Sequence, residues 1–183
     1  MEENERLARP MQISGMNPQI EEFRDQIIAT LPRLRRFARS LARNAHDADD
    51  LVQTTVERAL GRADQLRAGS QLASWLFGIL RNVWIDEGRS RHRREPLHVP
   101  QEFAENVGDP KAGAQAEMLS VQDALARLPD EQRLAVSVVL IEGFSYKEAA
   151  EIMNVPIGTL TSRLARGRKS LQEMLSDMPE EQP

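Results

Sequence analysis

Cysteine is absent from the 183 residues. That one absence excludes disulfides, thiolate zinc sites and cysteine nucleophiles. Histidine is nearly absent too: His46, His92 and His98 are isolated along the chain and make no metal-ligand spacing. No glycine-rich phosphate loop or nucleophile elbow is present. The serines and carboxylates fit helix caps and surface, so the chain does not read as an enzyme, and no cofactor is expected. No apolar run approaches the ~20 residues that a membrane helix needs, so membrane insertion is not expected. The segment Met1 to Pro18 is polar and charged, without the apolar centre of a signal peptide. A cytoplasmic protein is the expectation. Aromatic residues make up only 4% of the chain. Lysine is scarce beside arginine, 3 against 21; that ratio points to a GC-rich genome and says little of function.

Against these absences stand helical periodicity and uneven charge. Hydrophobic residues make up 40% of the chain, enough for one or two small cores. The net charge of −4 looks unsuited to nucleic acid until it is located. Residues 81–94 balance at +3 and residues 157–171 at +4, whereas residues 95–117 balance at −4. Two basic islands are therefore separated by an acidic segment, and local clusters decide where a polyanion docks.

The pattern along the chain is helical throughout, without internal repeats or low-complexity tracts. Residues 1–17 read as a mobile tail and residues 18–94 as a first domain, with helices near 20–43, 47–60 and 71–93 and a loop at 61–70. Residues 95–117 contain Pro96, Pro100, Gly108, Pro110 and Gly113 with little periodicity, which predicts a flexible linker. A second domain is expected over 118–176, then a short tail at 177–183. In it Met118, Val121, Leu125 and Leu128 mark one helix, Pro129 interrupts, and residues 130–142 make the next. The fold class is thus all-α, two small helical domains.

Residues 143–171 carry the sharpest local signal. Gly143 suits a left-handed helix end. Ser145 and Glu148 have the spacing of a capping box. Asn154 tolerates a left-handed turn, and Pro156 suits the start of the next helix. In that helix Leu160, Leu164 and Leu171 repeat at inward spacing, while Thr159, Ser162, Arg163 and Arg166 share the opposite face. The charges between 157 and 171 are Arg163, Arg166, Arg168 and Lys169, with no acid. This is the pattern of a helix-turn-helix whose second helix enters the major groove. There arginine can hold phosphates or pair with guanine. The alternative is a packing module with a solvated basic face.

Two further patterns lie in the first domain. In residues 47–60, Val52, Val56, Ala59 and Leu60 are expected inward, and Asp50, Gln53, Thr54 and Glu57 form a polar ridge. Periodicity alone leaves open whether that ridge is solvated surface or a docking site. In residues 72–94, Trp75, Leu76, Ile79, Leu80, Val83 and Trp84 form an apolar stripe that runs into Arg89, Arg91, Arg93 and Arg94. Arginines beside aromatic or amide groups suit single-stranded nucleic acid.

Three blocks in this order resemble one family: Asp47 to Gln53, Ser74 to Asn82, and Leu128 through Arg168. The chain resembles bacterial sigma factors of the extracytoplasmic-function (ECF) group, minimal sigma-70 relatives that carry regions 2 and 4. The resemblance covers approximately residues 20–175 and implies a protein that directs core RNA polymerase to promoters. By that resemblance Asp47, Asp50, Leu51, Gln53, Thr54 and Glu57 bind the β′ coiled coil of the polymerase, with the β flap as a second core contact. Leu66, Arg67, Arg81, Asn82, Arg89, Arg91 and Arg93 serve the −10 element, with Asn82 near a flipped base. Thr159, Thr161, Ser162, Arg163, Arg166 and Lys169 serve the −35 element. An anti-sigma factor is the expected regulatory partner, in a stress-responsive setting. The sequence departs from common family residues at Thr54, Leu66, Thr161 and Ala165, which implies altered contacts there. Two other readings stay open: a sigma-like mimic that sequesters an anti-sigma factor, and a plain helix-turn-helix regulator.

Overall fold

The computed structural model describes residues 18–42, 44–66, 71–94 and 121–176. The segments read as tails, 1–17 and 177–183, and the one read as a linker, 95–117, lie outside them. The described residues are helical, with no strand among them. Two groups of helices result, as expected: α1 (Pro18–Leu41), α2 (Ala45–Leu60) and α3 (Leu72–Arg94), then α4 (described over 121–127), α5 (Asp130–Val136), α6 (Tyr146–Met153) and α7 (Ile157–Ser176). None of the described helices is long and apolar enough to cross a membrane.

Each helix of the first group buries a stripe set by its own spacing. In α1 the stripe is Ile27, Leu34, Phe37, Ala38 and Leu41. Pro32 interrupts the hydrogen-bond ladder in mid-helix, freeing the carbonyl of the solvent-exposed Ile28. In α2 the stripe is Ala48, Leu51, Val52, Thr55 and Ala59. This helix starts two residues before the expected position because Asn44 caps it, its side chain accepting from the Asp47 amide at 2.8 Å. Two readings of α2 need correction. Leu60, expected inward, is exposed, and Leu51, assigned to the polymerase-facing ridge, is a core residue only 1% exposed. At about 100° per residue Leu51 points about 200° away from Gln53, so one face cannot hold both. α3 is apolar on more than one side because it packs against α1 and α2 and also against α6.

In the second group α5 and α7 lie side by side, and the approach is closest at Gly167. A Cβ there would stand 2.8 Å from Val136 Cγ2 and 3.3 Å from the Gln132 carbonyl oxygen. Gly167→Ala is therefore expected to lower stability by about 1–3 kcal/mol despite its better helix propensity. Urea denaturation of both proteins checks this, and a matching Val136→Ala background should recover part of the loss.

After Val136 the helix expected to run on to 142 widens into a π turn over Ser137–Ile141. The Glu142 amide donates to the Ser137 carbonyl at 3.0 Å, and the Phe144 amide to that of Val138 at 3.2 Å. Gly143 has φ +72, the left-handed conformation its position predicted. The wider turn aims Glu142 and Phe144 into the first domain. The buried residues of the two domains form one continuous cluster.

Candidate nucleic-acid interface

The second domain presents α7 through a turn built by local chemistry. The Ser145 Oγ accepts from the Glu148 amide at 3.3 Å, and the Ser145 amide donates to Glu148 Oε2 at 2.9 Å, so the capping box is closed. The Ser145 hydroxyl and then its amide hold the Glu148 carboxyl below the ordinary glutamate range. Asn154 ends α6 with φ 51 and ψ 51, and the Val155 amide donates back to the Ala150 carbonyl at 3.0 Å. The Thr159 and Leu160 amides both donate to the Pro156 carbonyl, which starts α7. Leu160, Leu164 and Gly167 anchor its inner side.

The six α7 residues singled out by sequence divide into two sets. Arg166 and Lys169 are exposed, with Lys169 3.7 Å from Glu173. The others are partly covered, and the side chains of Thr161, Ser162 and Arg163 are engaged. Ser162 Oγ donates to the Thr159 carbonyl at 2.9 Å, and Thr161 Oγ1 donates to the carbonyls of Ile157 and Gly158. Arg163 Nη2 lies 2.8 Å from Glu131 Oε2 of α5, and its side chain is 21% exposed. Arg163 is thus tethered within its own domain.

The first-domain set centres on α3. Asn82 is exposed, and its Oδ1 accepts from Arg81 Nη1 at 3.0 Å. Burial lowers the pKa of Arg81 from its ordinary value, and the like charges of Arg163 and Arg89 lower it further. Its Nε is buried without a hydrogen-bond partner. Arg89 is exposed, and Leu66, after a short 3-10 turn at Ala63–Gln65, is half-buried. Arg67 and the side chains of Arg91 and Arg93 lie outside the described residues. Trp84 is not available for stacking: it is buried, with the Arg133 guanidinium 5.3 Å from its ring centroid. A cleft of about 620 Å³ separates α3 from α6, lined by Gln71, Ser74, Trp75, Ile79 and Asn82 on one side and Lys147, Glu148, Glu151 and Ile152 on the other.

On α2, Asp50, Gln53 and Glu57 are exposed, while Asp47 and Thr54 are half-buried. Gln53 Nε2 donates to Glu57 Oε1 at 2.9 Å, and His46 lies 3.6 Å from Asp50. The ridge therefore exists without Leu51.

Sequence reasoning missed a polar group at the domain junction. Glu142, with a fully buried side chain, accepts from Arg36 Nε at 2.8 Å, Arg36 Nη2 at 3.0 Å and Arg33 Nε at 3.2 Å. Arg33 Nη2 also donates to the Glu142 carbonyl at 2.9 Å. A signal was available: a carboxylate ending a helix opposes the helix macrodipole and calls for a cationic partner.

Similarity to known proteins fits this geometry. The family model described as the sigma2 domain of PhyR matches residues 27–81, and that of sigma-70 region 4 matches residues 118–171. The ECF RNA polymerase sigma factor EcfG of Rhodopseudomonas palustris (strain TIE-1) is 42% identical over 159 residues, 86% of this chain and 87% of that one. The ECF RNA polymerase sigma factor SigM of Mycobacterium tuberculosis (strain H37Rv) is 37% identical over 145 residues, 78% of this chain and 71% of that one. The structure of the sigma factor RpoE from Bartonella quintana, in complex with the anti-sigma factor NepR, aligns with a TM-score of 0.74 at 33% identity, covering 87% of this chain and 99% of that one. With region 2 and region 4 helices in family order, the chain belongs to the ECF sigma factors of the sigma-70 family.

Proposed function

We propose that this ECF sigma factor acts in the cytoplasm, joins core RNA polymerase through the α2 ridge, and selects promoters with both basic surfaces. Asp47, Asp50, Gln53, Thr54 and Glu57 would meet the β′ coiled coil, and the second domain the β flap. Asn82, Arg81 and Arg89, with Leu66, Arg67, Arg91 and Arg93, would capture the −10 strand. Thr159, Thr161, Ser162, Arg163, Arg166 and Lys169 would line the −35 contact, with Arg166 foremost. The observation that carries this reading is the exposed Arg166 and Lys169 face of α7, presented by a fully capped turn. An anti-sigma factor is the proposed negative regulator, supported by the NepR complex of the B. quintana relative, with a stress signal as the proposed inducer.

The test is run-off transcription from a fragmented genomic library, using sigma-free core polymerase with and without this protein. Protein-dependent transcripts sharing an upstream −35/−10 pair are expected. Core binding without transcripts would favour the second reading, a mimic that sequesters an anti-sigma factor. That reading draws support from the match of residues 27–81 to the PhyR sigma2 domain. Absence of core binding would leave a plain helix-turn-helix regulator.

A further inference from the structure

The charge of α7 begins only at its seventh residue. Residues 157–162 carry none, and Arg163, Arg166, Arg168 and Lys169 follow. Yet the first residues of a recognition helix are the ones that reach base edges. What α7 reads with its first turns therefore depends on uncharged side chains. Ile157 opens the helix and is 50% exposed. Gly158 beside it is exposed, with open space where a Cβ would stand. Ile157 also edges a shallow hollow of about 480 Å³ together with Val155 and Pro156, an apolar rim open to another molecule.

One turn on, Thr161 is half-buried, and the proton of its hydroxyl is committed to the helix itself. Its Oγ1 donates to the Ile157 carbonyl at 3.1 Å and to that of Gly158 at 3.0 Å. The group that Thr161 has left to offer is its Cγ2 methyl. Ile157 and Thr161, four residues apart, are neighbours on the helix surface, about 5–6 Å between Cβ atoms. A single exposed isoleucine would need no explanation. Here it adjoins a second methyl-bearing residue, at a position that departs from the residues common in the family. In the major groove, guanine, cytosine and adenine present hydrogen-bonding groups, and only thymine adds a methyl group. A methyl side chain against thymine takes apolar surface out of water on both sides. Against guanine or cytosine it covers a donor or acceptor that is left without a partner, which is unfavourable.

We propose that Ile157 and the Thr161 methyl group select thymine, through its 5-methyl group, at two positions of the −35 element. These contacts rest on α7 entering the groove at that element, as proposed above. A rise of about 1.5 Å per residue over four residues, against about 3.4 Å per base step, sets the two thymines about two steps apart. The first turns of α7 thus read by apolar contact, and the cationic turns that follow supply the contacts of Arg166 and Lys169.

Deoxyuridine pairs as thymidine does but lacks the methyl group, so it removes only the proposed contact. A promoter defined by run-off transcription is made with each thymine of its −35 element, on either strand, replaced in turn. Binding of the full-length protein with core polymerase is then titrated. Two positions are expected to lose about fourfold, the effect of one buried methyl group at about 0.8 kcal/mol. Ile157→Ala should lose at least as much on the thymine duplex and respond no further to uracil at one of the two positions. Thr161→Ser, which drops the methyl and keeps the hydroxyl, should do the same at the other. Thr161→Val keeps the methyl and should bind and respond as the parent does; circular dichroism verifies that each variant remains helical. Loss in Thr161→Val with none in Thr161→Ser would show that the oxygen reads the base, and would overturn the Thr161 contact. Uracil losses absent at every position, or undiminished in Ile157→Ala and Thr161→Ser, would overturn the methyl contacts altogether. A scrambled −35 element separates this failure from the wider one. If scrambling weakens binding and uracil does not, only the methyl contacts fall; if scrambling changes nothing, or no promoter is found, the −35 role of α7 falls with them.

Discussion

Phe77→Ala is expected to lower stability by about 3–5 kcal/mol, the range for truncating a fully buried aromatic side chain. Phe77 has no exposed surface. Its ring lies 4.9 Å from Phe37 of α1 and 4.8 Å from Phe144 of the second domain, and Arg33 stands 5.4 Å from its centroid. Truncation thus leaves a cavity at the meeting point of α1, α3 and the 142–145 loop. Against a typical total of about 5–15 kcal/mol, such a loss unfolds much of the population. Urea denaturation followed by helical circular dichroism reads it as a lower midpoint. Phe144→Ala gives the contrast. It removes only the second domain's contribution to the stack, so the first domain should keep most of its own stability. A Phe77→Ala loss below about 1 kcal/mol would show that the stack is not packed as described.

The difference between these two phenylalanines also marks how far the sequence could be read. The turn between α6 and α7 was legible because its parts act over three or four residues: Ser145 with Glu148, Gly143 and Asn154 in left-handed conformations. The buried stripe of α3, from Leu76 to Trp84, was legible from periodicity. Leu51 was misplaced because the family block around it was taken as one surface, although helix geometry turns it inward. The π turn was invisible, since one widened turn barely disturbs a run from Leu134 to Ile141 that is apolar but for Ser137. Glu142 and its arginines are separated by 106 and 109 positions, and no local pattern names a partner at that distance. Arg163 falls on the outward face by helical spacing, in a stretch, 157–171, that has no acid of its own; the acid that binds it, Glu131, lies on α5. Local chemistry was readable, and pairing between distant helices was not.

That tether shapes the other large effect expected, the loss of promoter-directed transcription in Arg163→Ala with Arg166→Ala. Once run-off products define a promoter, the double variant should transcribe it at least about thirtyfold less, since each good arginine–guanine pair contributes about 1–3 kcal/mol. The share of each residue follows from its surroundings. Arg166 is exposed and should account for most of the loss alone. Arg163 must first leave Glu131, 2.8 Å away, so Arg163→Ala should reduce transcription less. Glu131→Gln weakens that hold without removing the arginine, and should leave promoter output equal or higher. Arg166→Lys tells base reading from phosphate contact: lysine keeps the charge but not the two-pronged geometry. A phosphate contact would survive that change, and its loss in Arg166→Ala would reduce the salt slope of duplex binding by about one. Core-polymerase binding should persist in all these variants, because the α2 ridge is on the other domain. A double variant that still supports full transcription would remove α7 from promoter selection and return weight to the anti-sigma mimic, whose task needs no arginine on this face.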